Sequence, residues 1–365
     1  MEKSSYKVGV IGCTGMVGQR LVTLLCAHPW FQLSALAAGP RSAGKSYGEA
    51  VQGRWKISVP MPESVSGLPV LDAQKDAKSI AEQCDLIFCA VSLPTDETRA
   101  LEELYARLEC VVISNNSACR LCADVPMVIP EINPEHLKVL PFQRKRLGTR
   151  RGCIAAKCNC SIQSYVPPLH ALWDLRPERV AVCTFQAVSG AGRTMDAWPE
   201  MRDNVVPYIR NEEEKSQREP LKLWGKVEGG AILPSAAPII SAQCLRVPVS
   251  DGHMAAVFAS FRYKVHPEEM RLRIAEYEGL PQHLRLPSAP TRFLHYFDEP
   301  DRPQTALDRD LENGMAISVG RLRPCDLFSV KFVCLSHNTL RGAAGGAVEL
   351  AELLCAQGYL EEGTA

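Results

Sequence analysis

Two rhythms of apolar and polar positions alternate along the first part of this chain. Short apolar runs read as buried strands, and stretches with apolar residues three and four apart read as helices. Lys7-Val8-Gly9-Val10-Ile11 is the first run, and Gln19 to Leu25 follows it, after a glycine turn, with helical spacing. Gln32 to Gly39 predicts a second strand, Cys84 to Val91 a further one and Cys110 to Ser114 another. Between the last two, Pro94 to Leu108 predicts a helix with proline near its start. This alternation makes the N-terminal part an α/β unit.

The pattern then changes. Arg179 to Val188, Met254 to Tyr263, Ala316 to Gly320 and Leu327 to Cys334 predict strands, and Glu212 to Trp224 an amphipathic helix. This is the signature of a second, α+β unit. From Ser336 to Leu354 the chain is rich in Gly and Ala with a polar start; it predicts a helix that packs back on the first domain. Two segments read as irregular. Pro281 to Pro303 predicts an exposed loop or an oligomer arm, and Pro141 to Arg151, with five cations, a solvated connector. Ile162 to Leu169 reads as the entrance of a helix just after Cys160.

Composition bounds the possibilities without changing them. A chain of 365 residues is long for one core. Apolar content of 46%, charged content of 22% and zero net charge call for neither nucleic acid nor an anionic membrane as partner. No apolar run reaches the roughly 18–20 residues of a membrane span, and Met1 to Lys7 lacks an apolar leader. The 15 cysteines are odd in number and mostly lie inside apolar patterns, which predicts reduced thiols in a cytoplasmic protein. Cys119-Arg120-Leu121-Cys122 has a two-residue spacing, but no second pair with metal-ligand spacing follows, so no metal is expected.

Chemistry enters first at Gly12-Cys13-Thr14-Gly15-Met16-Val17-Gly18. A glycine turn between strand and helix lets a pyrophosphate approach the backbone and the helix N-terminus. An NAD-selective site usually places an acid at the end of the second strand. Here Gly39-Pro40-Arg41-Ser42-Ala43-Gly44-Lys45 offers two cations and a hydroxyl instead, which suits the 2′-phosphate of NADP. The second centre is Lys157-Cys158-Asn159-Cys160-Ser161. A thiol at a helix entrance has a lowered pKa and is a better nucleophile. Arg120 follows a strand end and is a candidate anion ligand. Arg246 and His253 flank the Asp251-Gly252 turn, placing a carboxylate-binding fork beside an acid/base group. A surface ion pair is the simplest reading of Glu212 and Lys215.

The order of these segments resembles one family. Gly12-x-x-Gly15-x-x-Gly18, Ser114-Asn115-Asn116-Ser117-Ala118-x-Arg120, Val128-Ile129-Pro130-Glu131-Ile132-Asn133, Asn159-Cys160-Ser161, Gln186 to Gly192, Arg246-Val247-Pro248-Val249-x-Asp251-Gly252-His253 and Ser336-His337-Asn338-Thr339-x-Arg341-Gly342-Ala343-Ala344-Gly345 together look like aspartate-β-semialdehyde dehydrogenase, of the archaeal and fungal branch. The resemblance implies a Rossmann-type NADP-binding domain over residues 1–157 and 337–365, with a catalytic and dimerisation domain over 158–336. It implies an NADP-dependent oxidoreductase converting L-4-aspartyl phosphate to L-aspartate-4-semialdehyde through a Cys160 thioester, in the biosynthesis of lysine, threonine, methionine and isoleucine.

By the same resemblance Cys160 is the nucleophile, His253 the acid/base and Gln186 an orienting group. Arg120 and Lys215 bind phosphate, Arg246 the α-carboxylate and Glu212 the amino group, with Asn159 also at the substrate. Backbone N–H groups around Asn159 and Cys160 are expected to hold the oxyanion. Gly12, Thr14, Gly15, Met16 and Val17, then Arg41 and Ser42, then Ser189, Gly190 and Asn338 hold the cofactor. A homodimer or homotetramer is implied. The chain departs from the family at Lys157-Cys158, where Asn-Pro or Asn-Ala is usual, and at Ile162, where Thr is common. Lys157 then either lowers the Cys160 pKa or points to solvent, and Cys158 is either a spectator or a competitor for oxidation. A reductase for malonyl-CoA or N-acetylglutamyl phosphate, and a non-catalytic NADP-binding paralogue, are the other readings.

Overall fold

The computed structural model describes residues 5–361. The reading of Met1 to Ser4, and the last four residues of the first domain's second segment, lie outside them. Six strands form the first sheet: β1 (Tyr6–Ile11), β2 (Phe31–Ala38), β3 (Val70–Asp72), β4 (Leu86–Cys89), β5 (Val111–Ser114) and β6 (Cys153–Ala156). All pair in parallel, in the order β3-β2-β1-β4-β5-β6. This is the doubly wound dinucleotide-binding order, and its ligand crevice lies at the carboxyl ends of the strands. β4, β5 and β6 are buried along their whole length, as their unbroken apolar sequences require.

The second half begins with β7 (Pro177–Gln186), and a small ribbon, β8 (Lys226–Glu228) with β9 (Ala231–Leu233), stands apart. The second sheet adds β10 (Ile239–Arg246), β11 (His253–Phe261), β12 (Leu294–Phe297), β13 (Ile317–Pro324) and β14 (Val330–Ser336), in the order β10-β7-β11-β14-β13-β12. β10 runs parallel to β7, so Arg246 pairs with Gln186 and both residues end at the same edge. β11 runs antiparallel and starts at that edge with His253.

One apolar cluster joins β1, β2, β4 and β5 to the Met16–Leu25 helix and the C-terminal Ala344–Ala356 helix. The C-terminal helix therefore returns to the first sheet. A second cluster covers that sheet's other face, and a third lies beneath the second sheet. Each fully buried Leu, Ile or Val contributes about 1.5–3 kcal/mol.

Four local expectations fail. The C-terminal helix starts only at Ala344; residues 337–343 form a largely buried turn instead. The cationic stretch is no solvated connector but a helix, Leu140–Leu147, with Gln143 and Arg144 buried. Gln143 donates to the Asp124 and Ile154 carbonyls, and Arg144 to Tyr359 O. The proline-rich segment is no free loop: Phe293 and Leu294 are buried, and β12 adds an edge to the second sheet. Finally, residues 160–165 form turns, and the helix after them is only Val166–His170. Cys160 thus lies well short of a helix N-terminus.

Candidate active site

A cavity of about 470 Å³ lies where the carboxyl ends of β5 and β6 meet those of β7 and β10. Asn115, Ser117 and Arg120 reach it from the segment after β5, and Asn159 and Cys160 from the turn after β6. Gln186 and Arg246 close it from the ends of their strands, and Glu212 and Lys215 from the first turn of the Glu212–Leu223 helix. Every predicted substrate residue is on this wall.

The contacts are ordered. Lys215 Nζ lies 3.4 Å from Glu212 Oε2, and Gln186 donates to Glu212 Oε1 at 3.3 Å. Arg246 donates to the Ala187 carbonyl at 2.7 Å. Arg120 donates to Asn115 O at 3.0 Å and pairs with Glu219 at 3.1 Å. Asn159 Oδ1 accepts from the Ser161 N–H and hydroxyl, both at 2.7 Å, and so fixes the turn around Cys160. Contrary to the expectation above, the Asn159 N–H is not open to an oxyanion: it donates to Glu219 Oε2 at 2.6 Å.

Glu219 is a residue that sequence reading missed. Its two oxygens hold Arg120 on one side and the Cys160 turn on the other. Lys222, also missed, donates to the carbonyls of Arg120, Cys122 and Val125 at 2.6–2.7 Å. The signal was present. Glu212, Lys215, Glu219 and Lys222 recur at helical spacing and form one charged stripe. A charged stripe usually faces water, but this one faces the interior; Glu219 and Lys222 are each 2% exposed.

His253 lies behind the cavity wall. Its Nδ1 accepts the Ala187 N–H at 3.1 Å, and Nε2 has no partner. That bond assigns the neutral ring's proton to Nε2. A side chain on Gly190 would meet His253 Nε2 at 2.9 Å and Arg246 Nη1 at 2.8 Å. Glycine at 190 therefore lets the backbone pack directly against both groups. Burial, reinforced by Arg246, pushes the His253 pKa down to about 3.

The free Cys160 thiol is not activated at rest, contrary to the helix-entrance expectation. Burial and the Glu212 carboxylate push its pKa up to about 11, against the pull of Lys157, Arg120 and Arg246. Lys157 does not point to solvent. It is 1% exposed, its Nζ has no hydrogen-bond partner, and burial pushes its pKa down to about 8. Cys158 faces away from Cys160: it belongs to the core beneath the second sheet and accepts from Gln163 Nε2 at 2.8 Å.

A second cavity, of about 480 Å³, opens above β1 and β2. Gly12, Thr14, Gly15, Arg41 and Ser42 line it as predicted. A Cβ on Gly12 would meet Ala90 O at 2.3 Å, and one on Gly18 would meet Gly12 O at 2.2 Å. The turn is therefore as tight as a phosphate cradle needs. Gly15 caps the Met16–Leu25 helix without a side-chain bond, leaving its first N–H groups for an anion. These features fit a dinucleotide. Lys45 is not on the wall; the second cation there is Arg54, which donates to Ser42 Oγ at 3.2 Å and was missed because it is remote in sequence. Met16 is buried and lines neither cavity. Val17, Ser189, Gly190 and Asn338 line the first cavity. Asn338 accepts the Gly252 N–H and donates to Ser189 Oγ, both at 2.8 Å.

Comparison with known proteins accounts for this arrangement. The family model for the semialdehyde dehydrogenase NAD-binding domain matches residues 7–140, and that for the semialdehyde dehydrogenase dimerisation domain matches residues 166–341. An aspartate-semialdehyde dehydrogenase of Archaeoglobus fulgidus is 44% identical, with 96% of this chain and 98% of that protein covered. One from Aspergillus fumigatus is 41% identical, with 97% and 98% covered. The crystal structure of the Candida albicans aspartate-semialdehyde dehydrogenase with NADP superposes with a TM-score of 0.88 at 36% identity, covering 98% of this chain and all of that one.

Proposed function

This chain belongs to the aspartate-semialdehyde dehydrogenase family, and on that premise we propose how its own residues divide the reaction. It is an NADP-dependent oxidoreductase that reduces L-4-aspartyl phosphate to L-aspartate-4-semialdehyde, reversibly, in the biosynthesis of lysine, threonine, methionine and isoleucine. One observation carries the division of roles: a single cavity gathers the Cys160 thiol, the Arg120 and Arg246 guanidinium groups and the ion-paired Glu212 carboxylate.

Arg246 holds the substrate α-carboxylate, and Glu212 its ammonium group. Arg120 and Lys215 hold the phosphate. Gln186, tied to Glu212, orients the acyl group beside Cys160. With the Asn159 amide engaged by Glu219, the donors left for the tetrahedral oxyanion are the Cys160 N–H and His253 Nε2–H. Attack by the Cys160 thiolate expels phosphate and leaves a thioester. Bound NADPH supplies the hydride that reduces it. The proton that Cys160 sheds on attack is held by His253, which returns it to the sulfur as the thiohemiacetal collapses to the aldehyde. The anionic substrate offsets Arg246 and so makes a proton on His253 less costly than in the free protein. The Glu212–Lys215 pair supports an amino-acid phosphate over a CoA thioester.

The test follows NADPH absorbance with L-aspartate-4-semialdehyde, NADP and inorganic phosphate. Turnover is expected. Binding of NADP with no turnover under reducing conditions sinks this assignment and brings acyl-CoA substrates forward.

We assign Arg41, Ser42 and Arg54, which line the second cavity, to the 2′-phosphate. Replacing both arginines by alanine removes charge-assisted hydrogen bonds and is expected to raise KM for NADP about 10- to 100-fold. KM for NAD should barely change; an equal rise for both cofactors refutes the assignment. Residues 1–157 with 337–365, and 158–336, are our division into cofactor and catalytic domains.

The dimerisation-domain match supports a homo-oligomer, and we read it as a homodimer or homotetramer built on the open face of the second sheet. Ala181, Cys183 and Phe185 of β7, Met254, Ala256 and Phe258 of β11 and Val333 of β14 share that face and are partly exposed. Phe258→Lys is expected to shift the protein towards monomer in sedimentation; an unchanged mass places the interface elsewhere. No helix among the described residues is long and apolar enough to cross a membrane. Cytoplasmic placement is our reading, supported by cysteines buried within strands and helices.

A further inference from the structure

Cys119 and Cys122 have no part in the reaction above, yet they bracket Arg120. The turn that carries them is closed by the Cys122 N–H donating to Cys119 O at 3.0 Å. Such a turn keeps its end Cα atoms within about 7 Å, and a disulfide needs about 4.4–6.8 Å. The two thiols interact across the turn, which pushes the Cys119 thiol up and the Cys122 thiol down. Cys119 is buried, whereas Cys122 is partly exposed. The neighbouring Cys119 thiol, with the Arg99 and Lys222 cations near by, holds the Cys122 thiol below its ordinary pKa. Arg99 and Lys222 also grip the turn's backbone, at Ala118 O and at the Arg120 and Cys122 carbonyls. A reactive, accessible thiol thus sits beside a resolving one.

We propose that Cys119 and Cys122 form a reversible dithiol–disulfide site that sets the position of Arg120 and, through Glu219, of the Cys160 turn. The proposal rests on the reading of the Cys160 cavity as catalytic. The oxidant is a small-molecule disulfide. The Cys122 thiolate attacks one of its sulfurs, forming a mixed disulfide and releasing one thiolate. The Cys119 thiol then attacks the Cys122 sulfur, the protein disulfide forms, and the second small thiol leaves with the Cys119 proton. Two protein thiols are oxidised and one small disulfide is reduced to two thiols. The new S–S bond, about 2.05 Å long, ties together two sulfurs carried by the ends of one hydrogen-bonded turn. The turn must twist, and Arg120 is its central residue. Arg120 bonds Glu219 at 3.1 Å, and Glu219 accepts the Asn159 N–H at 2.6 Å, one residue from the nucleophile. Displacements of an ångström at such a site cost on the order of 10²-fold in rate.

The experiment treats the full-length protein with oxidised glutathione, removes it, and compares wild type, Cys122→Ser and Cys119→Ala. Trypsin cuts after Arg120, between the two cysteines, so the disulfide appears as two peptides that separate only on reduction. In wild type the linked peptides are expected. KM for phosphate should rise and kcat/KM fall tenfold or more, with recovery on adding dithiothreitol. Both variants should keep their reduced activity after oxidation. The rate of Cys160 alkylation by iodoacetamide is a parallel readout that needs no turnover; it should change on oxidation in wild type only. Thiols that stay free in wild type overturn the proposal. So does a disulfide that leaves both phosphate KM and Cys160 alkylation unchanged. Equal inactivation of the variants would place the sensitive thiol at Cys160 and also overturn it. An inactive reduced wild type with a disulfide-dependent Cys160 alkylation rate would instead fault the functional reading alone.

Discussion

Cys160→Ser is expected to lower turnover by about 10⁴-fold or more while NADP binding survives, because the variant loses the thiol to which we assign the acyl intermediate. A serine hydroxyl ionises far less readily than a thiol and is a much weaker nucleophile at neutral pH. Cys158→Ser is the control. Its sulfur faces the core beneath the second sheet, so the cost falls on stability, by about 1–3 kcal/mol for burying a hydroxyl, and not on chemistry. If Cys160→Ser retains more than a hundredth of wild-type turnover, the nucleophile has been misassigned.

The same site carries a pH signature. With the Cys160 pKa pushed up to about 11, the thiol is neutral at pH 7 and the thiolate fraction grows with pH. Alkylation of the free protein should therefore rise about tenfold per pH unit through the neutral range and level off only near the folded pKa. Glu212 is the largest charge opposing ionisation. Glu212→Gln should then alkylate faster at pH 7 while losing substrate affinity. A variant slower in both respects contradicts this electrostatic account.

Arg341→Met is expected to destabilise the protein by about 3–5 kcal/mol, read from the urea midpoint. Arg341 is 1% exposed and pairs with Glu131 at 2.8 Å and with Glu349 at 2.5 Å. It also donates to Met315 O at 2.7 Å and lies 4.8 Å from the Phe293 ring centre. Removing it leaves two carboxylates in a dry interior. Burial already holds the Glu349 carboxyl well above its ordinary pKa. Arg341→Lys should rescue little, because one ammonium group cannot reproduce the guanidinium's bonds to two carboxylates and a carbonyl. Adding Glu131→Gln and Glu349→Gln to Arg341→Met should restore part of the loss. A single variant within 1 kcal/mol of wild type would show that the triad is not a structural node. Glu131 and Arg341 sit in two of the segments that carry the family resemblance, and the structure gives them this shared task, joining the turn after β14 to the segment between β5 and β6.

What the sequence determined by itself is local. A strand, a glycine turn and a helix within twenty-odd residues specify a phosphate cradle, because the backbone geometry demanding Gly12 and Gly18 is set by immediate neighbours. Gln186, Arg246 and His253 could be placed at strand ends because alternation and turn residues mark where strands stop. The order of the segments identified the family, and with it the cavity's occupants.

Tertiary structure decided everything that depends on partners far along the chain. Glu219 reaches Asn159 across 60 residues and Arg120 across 99. Arg54, not Lys45, completes the cofactor cavity because a helical turn folds it against Ser42. The opposite facing of Cys158 and Cys160, the burial of Lys157 and the upward shift of the Cys160 thiol share one cause. Desolvation and charge are sums over neighbours in space, and a sequence pattern records only neighbours along the chain. For the same reason Pro281 to Pro303 and the cationic stretch were misread. Prolines and arginines mark exposed loops on average, but here Phe293, Leu294 and Gln143 supply the burial and backbone bonds that hold those segments inside the fold.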